Sequence, residues 1–110
     1  MKRTIELLPQ VSFSIMLALS LKPRHGYEII QQVEQDSMSK IRLGPGALYT
    51  TLKKLIDNET IEEVNIDNNE RRRYYQLTKK GWQRLNADVD YYTNIAKVSK
   101  VRLVQEGGKA

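Results

Sequence analysis

Two clusters in this 110-residue chain carry the side chains needed to hold a polyanion. The first is Arg71-Arg72-Arg73, three guanidinium groups directly after the polar cluster Asp67-Asn68-Asn69-Glu70. A guanidinium is permanently charged and presents a planar fork of donors that matches phosphate oxygens. Three of them beside a turn suit a loop that grips a phosphate backbone or enters the minor groove of a duplex. If the segment is extended, alternation puts Arg71 and Arg73 on one face, and of Tyr74 and Tyr75 one points outward and the other inward. The plainer reading is a charged edge strand that discourages aggregation, its arginines paired with Glu62, Glu63 or Glu70.

The second cluster lies on a segment with helical periodicity. Gly44-Pro45-Gly46 is a start signal, because proline at the first helical position gives up only an N–H that has no partner there. From Pro45 to about Asn58, Leu48, Leu52, Leu55 and Ile56 fall on one face. Gly46, Thr50, Lys53, Lys54 and Asp57 fall on the other side, and Tyr49 lies at the flank. Small residues such as Gly46 and Ala47 allow close approach to base edges. Thr50 or Thr51 can hydrogen-bond to a base or phosphate, or touch a thymine methyl. Lys53 and Lys54 can neutralise phosphates or reach guanine. The helix N-terminus, with unpaired N–H groups, favours a phosphate. The alternative is an ordinary amphipathic surface helix with a solvated polar face.

Catalytic chemistry finds no comparable support. His25 is the only histidine and there is no cysteine, which excludes disulfides, thiolate metal sites and histidine-rich zinc sites. His25, beside a glycine at a helix start, reads as a structural or capping residue. Glu62 and Glu63 are adjacent in a β-rich run, so they face opposite ways and make a poor carboxylate pair. No P-loop or GxGxxG pattern is present. The expectation is a non-enzyme without metal or cofactor. The net charge of +5 fits a polyanionic partner.

The elements that must position the two clusters read in order as helix, helix, helix, hairpin, long helix. Residues 5 to 20 form the first helix, with Pro9 marking where its regular part begins. Leu21 to Arg24 reads as a turn, Tyr27 to about Gln35 as a second helix, and Asp36 to Ser39 as a loop or the fraying end of that helix. The segment from Pro45 is the third helix. Ile61 to Ile66 and Arg73 to Leu77 form a hairpin around the polar cluster. Thr78 is the N-cap of a last helix from Lys79 to about Glu106, about 40 Å long, ended by Gly107-Gly108. Lys2 and Arg3 ahead of the apolar run Val11 to Leu21 imitate a signal peptide. Glu6, Pro9 and Gln10, the interrupting Ser12 and Ser14, and the stripe Leu8, Val11, Ile15, Leu19 instead favour a helix packed on a core. No stretch reaches the roughly 20 apolar residues of a membrane span, so a cytoplasmic protein is expected.

The fold class is therefore mainly α with a β-hairpin wing (α+β): a winged helix-turn-helix, residues 1–78, then a dimerisation helix, 79–106, and a loose tail, 107–110. In such a domain the third helix enters the major groove and the hairpin lies along the backbone. The last helix is too long for its own domain to cover. Leu85, Val89, Tyr92 and Ala96, with Leu8, Val11 and Ile15 of the first helix, make an economical homodimer surface, and two copies would read a palindromic site. The other possibility is a helix folded back on its own domain. Trp82, Tyr91 and Tyr92 raise a further reading, a sensor that binds a small aromatic effector at the dimer interface. A third uses the basic face only to grip an acidic protein partner.

The stretches His25-Gly26-Tyr27-Glu28-Ile29, Gly44-Pro45-Gly46-Ala47-Leu48-Tyr49 with Leu52-Lys53-Lys54-Leu55, and Arg73-Tyr74-Tyr75-Gln76-Leu77-Thr78-Lys79-Lys80-Gly81 resemble the PadR family, in its order and spacing, over roughly residues 10 to 85. The single C-terminal helix resembles the smaller subclass. The resemblance implies a bacterial transcriptional regulator, usually a repressor, that binds palindromic operators in double-stranded DNA as a dimer. It implies that Tyr49, Thr50 and Lys53 belong to the recognition helix and Arg71 to Tyr74 to the wing. It also implies that some members hold planar aromatic compounds between the long helices. Trp82 stands near the start of its helix rather than in the middle, so core packing is its expected role.

Overall fold

A computed structural model describes residues 6–66 and 71–107, with side chains as far as 104. The helices are α1 (Gln10–Leu19), α2 (Gly26–Asp36), α3 (Pro45–Asp57) and α4 (Lys79–Gly107), and the strands are β1 (Arg24–His25), β2 (Ile61–Val64) and β3 (Tyr74–Leu77). The polar cluster expected at the hairpin tip, Asp67 to Glu70, and the tail beyond Gly107 lie outside the described residues. No helix among the described residues is long and apolar enough to cross a membrane.

Each helix starts where local chemistry allows it. Pro9 precedes α1, and its carbonyl accepts the Phe13 N–H at 2.9 Å. Gly44 caps α3, with Pro45 in its first turn. At α2 the Glu28 carboxylate accepts the N–H of the capping residue His25 at 3.1 Å, one half of a capping box. At α4 the Thr78 hydroxyl accepts the Gly81 N–H at 3.0 Å, the N-cap expected of it. The same hydroxyl donates to the Glu59 carbonyl at 2.6 Å, and the Thr78 N–H donates to Thr60 O at 3.1 Å. The start of α4 is thereby stitched to the turn between α3 and β2, where Glu59 is left-handed at φ 63.

The segment read as a turn, Leu21 to Arg24, ends in a strand. Arg24 and His25 pair with Tyr75 and Tyr74, so the wing is a three-stranded antiparallel sheet of order β1-β3-β2 rather than a hairpin alone. A two-residue strand has too little length to show alternation, and only its pairing partner defines it. Arg24 also donates from Nε to the Ala18 carbonyl near the end of α1, at 3.1 Å.

The core joins α1 (Ile15, Met16, Ala18, Leu19), α2 (Ile29, Val33), α3 (Leu48, Leu52, Leu55), the sheet (Ile61, Tyr75, Leu77) and Leu85 of α4. Ile56, read as part of the buried stripe of α3, is instead 38 % exposed. At about 100° per residue Leu48, Leu52 and Leu55 lie close together around the helix while Ile56 lies at the margin of that arc. Trp82 is also not a core residue, being 43 % exposed, because it lies off the side of α4 that carries the buried Leu85.

Tyr75 is the inward-facing tyrosine of the pair. Burial, with lesser contributions from Glu63 and Tyr49, pushes its phenol above the ordinary value of 10.0, against an opposing pull from Arg73. The folded state therefore holds this proton more tightly than the unfolded chain does. The associated stability is whole below pH 10 and is lost as the pH rises through the folded-state value. Urea midpoints measured between neutral and strongly alkaline pH should fall less steeply above pH 10 in Tyr75→Phe than in the wild type.

Candidate nucleic-acid interface

α3 turns Leu48, Leu52 and Leu55 inward and thereby presents Gly46, Ala47, Tyr49, Thr50, Lys53 and Lys54 to solvent. Tyr49 is 54 % exposed. Lys53 Nζ lies 3.6 Å from Asp57 Oδ2, an exposed pair one helical turn apart. Such pairs contribute only a few tenths of a kcal/mol, about 0.3–0.5, so Asp57 does not hold the lysine against a competing phosphate.

The arginine segment folds back beside the start of α2. Arg71, Arg72 and Arg73 border a shallow groove of about 410 Å³ together with His25, Gly26, Tyr27 and Tyr49. Among the described residues no carboxylate lines it, and the start of α2 contributes His25, Gly26 and Tyr27 to it. Arg73 Nη1 stands 3.8 Å from Glu63 Oε2 with both side chains exposed, so one of the acidic partners expected for the triplet does engage it. Glu62 accepts from Gln76 Nε2 at 2.8 Å. Tyr74 is half-buried, its ring edge-on to that of His25 with centroids 5.4 Å apart.

Of the residues expected at the site, Tyr49 and the three arginines line one groove. Thr50, Lys53 and Lys54 stand exposed on α3 outside that lining, and Tyr74 packs on His25. Sequence reading missed His25, Gly26 and Tyr27 as groove residues. It read them as a helix start, and nothing in their spacing shows that the wing folds across them. Among the described residues no group of histidine, cysteine or carboxylate side chains could hold a metal ion.

The residues expected at a dimer surface divide. Ile15 (0 %) and Leu85 (4 % exposed) are consumed by the core of the protomer and have no surface to offer a second copy. Leu8 and Val11 are half-buried against that core, whereas Val89, Tyr92 and Ala96 are exposed. Beyond them Ile95, Val98, Val101, Leu103 and Val104 are exposed too. The Phe13 and Tyr92 rings meet edge to face at 5.3 Å, joining α1 to the middle of α4. Asp88, a residue the sequence reading passed over, is 2 % exposed. It accepts from the Leu8 N–H at 2.8 Å and pairs with Arg84 Nε at 3.4 Å, while Arg84 also donates to the Glu6 carbonyl. This network straps the segment before α1 onto α4.

Comparison with known proteins gives a consistent result. The profile of the transcriptional regulator PadR-like family matches residues 15–87. A crystal structure of a PadR family transcription regulator from Clostridium difficile is 28 % identical, covers 86 % of this chain and 99 % of that one, and superposes with a TM-score of 0.72. A transcriptional regulator from Clostridium thermocellum, at 22 % identity, shares the fold with a TM-score of 0.69 over 82 % of this chain and 89 % of its own. An uncharacterised protein from Lysinibacillus sphaericus is 29 % identical over 97 residues, 86 % of this chain and 87 % of the relative.

Proposed function

The chain belongs to the PadR-like family of transcriptional regulators, and from that premise we propose that it is a homodimeric repressor that binds a palindromic operator in double-stranded DNA. Its chemistry is that of a DNA-binding regulator of transcription and not of an enzyme. The observation that carries the finer reading is the groove in which Tyr49 of α3 meets Arg71, Arg72 and Arg73. With α3 in the major groove, Thr50 and Lys53 reach base edges or phosphates, Lys54 adds charge, and Tyr49, Tyr74 and the arginines follow the backbone. Residues 1–78 form the reading head and 79–106 the dimerisation helix, in a cytoplasmic protein.

Dimerisation rests on the exposed apolar residues of α4, from Val89 through Tyr92 and Ala96 to Val104, together with the half-buried Leu8 and Val11. A helix so apolar beyond its own core is stabilised by a second copy, and the two-fold axis sets two recognition helices one DNA turn apart, about 34 Å. Gel shifts with the protein's own promoter region should give a complex at low salt that dissociates steeply as salt rises. Absence of any complex at low salt would sink the proposal. Sedimentation equilibrium should give twice the chain mass.

A second reading adds a small aromatic effector. It is favoured by a concavity of about 350 Å³ lined by Phe13, Leu17, Val33, Ile41 and Tyr92 together with the polar Gln10, Ser14, Asp36 and Ser37. Trp82 is the sole tryptophan, exposed on the same helix, so its fluorescence isolates α4. Saturable quenching by planar aromatic compounds, with loss of the DNA complex at the same concentrations, is the expected behaviour. Quenching that stays linear argues against an effector.

A further inference from the structure

We infer that Gly26 is a positioning residue for the Tyr49 phenol, resting on the reading above that this face of α3 meets DNA. Gly26 is the first residue of α2, is buried, and has no left-handed backbone to explain its identity. The explanation is space. A Cβ at this position would lie 2.6 Å from Tyr49 Oη, 3.3 Å from Tyr49 Cζ and 3.2 Å from Leu48 Cδ2. The ring of Tyr49 therefore lies across the start of α2, with its hydroxyl end where any other residue would put a side chain. That placement carries the phenol into the groove lined by Arg71, Arg72 and Arg73.

The consequence follows from which atom has to yield. Leu48 is fully buried and is asked to give only a few tenths of an ångström. Tyr49 is 54 % exposed, and the atom in conflict is the far end of its side chain, so it escapes by swinging into solvent. An added methyl then costs the fold little but removes the phenol from its place beside the arginines. Held there, the hydroxyl is pre-organised to donate to a backbone phosphate without paying to order its side chain at the moment of binding. Displaced, it must be ordered anew.

Gly26→Ala should melt within a few degrees of the wild type yet bind a promoter duplex at least about ten-fold more weakly, the cost of one hydrogen bond to a charged group. Removing the hydroxyl reduces the conflict to a few tenths of an ångström, since the nearest ring atom then lies 3.3 Å away. Gly26→Ala combined with Tyr49→Phe should accordingly bind as Tyr49→Phe does alone. Nuclear Overhauser contacts between the Gly26 α-protons and the Tyr49 ring, measured without DNA, should be present in the wild type. Unchanged affinity in Gly26→Ala, an equal loss with and without the Tyr49 hydroxyl, or a large fall in melting temperature overturns the inference. If the wild type binds no duplex, the DNA reading has failed. The Overhauser contacts then decide the positioning by themselves, and their absence overturns it.

Discussion

Gly81→Ala is expected to lower the melting temperature by more than about 12 °C, even though alanine is the better helix former. Gly81 lies in the first turn of α4, where propensity alone would predict a gain of up to about 1 kcal/mol. A Cβ there would stand 1.9 Å from Thr60 O and 2.9 Å from Thr60 C. Both are backbone atoms, held by the bond from the Thr78 N–H and by the Thr60 hydroxyl, which donates to the Leu55 carbonyl at 3.1 Å. Nothing at the contact can rotate away. Relief requires α4 to lift off the α3–β2 turn, breaking the bond that the Thr78 hydroxyl donates to the Glu59 carbonyl and pulling Leu85 from the core. Overpacking of this kind costs about 3 kcal/mol, and each kcal/mol is worth about 4 °C or more in a domain of this size. Gly46→Ala is the natural control: nothing lies within 4 Å of its would-be Cβ, so it should melt at or slightly above the wild-type temperature. Thermal melts of both variants followed by circular dichroism decide the point. A Gly81→Ala protein as stable as the wild type would mean that α4 does not sit against Thr60 as described.

Replacing Arg71, Arg72 and Arg73 together by alanine is expected to weaken operator binding on the order of a thousand-fold while leaving the fold intact. All three are exposed, so the core loses nothing. The ion pair that Arg73 makes with Glu63 is solvent-exposed and contributes little to stability. On DNA, each phosphate contact adds about 0.9 to the slope of log affinity against log salt. In the proposed dimer, losing three arginines from each of two copies would reduce that slope by about five units. The triple lysine variant separates charge from shape. It should keep most of the salt slope, which counts cations, and lose affinity only to the extent that the planar fork of arginine matters. Fluorescence anisotropy titrations across a range of salt give both numbers. An alanine triplet with unaltered slope would show that the wing does not touch phosphates, and would leave the arginines as the edge-strand charges of the plainer reading.

The reach of sequence reasoning differs between elements for identifiable reasons. α3 and α4 were legible almost to the residue, since Gly44-Pro45 and Thr78 are chemical start signals and the leucines repeat at helical spacing. Tyr49 and the arginine triplet were legible as candidate contacts from residue type and family resemblance. Their convergence on one groove was not, because it depends on β3 pairing with β1 and so folding the wing across the start of α2. Ile56 is assigned to the interior by its helical spacing from Leu48, and Trp82 by its place near the start of its helix. Apolarity states a preference for burial, whereas occupancy of the core depends on which side of a helix another element covers.

The helix α3 shows the same division. Its limits, its inward leucines and its outward Gly46, Thr50 and Lys53 follow from local geometry, at about 100° of rotation per residue, and needed no other part of the chain. What surrounds it was decided only when distant segments met. Ile15 and Leu85 went into the protomer's own core, Asp88 became a buried strap for the Leu8 backbone, and the space for a side chain was taken at 26 by the Tyr49 phenol and at 81 by the Thr60 backbone. Periodicity is set by a residue's own backbone, while burial and close approach are set by atoms that the chain brings back from elsewhere.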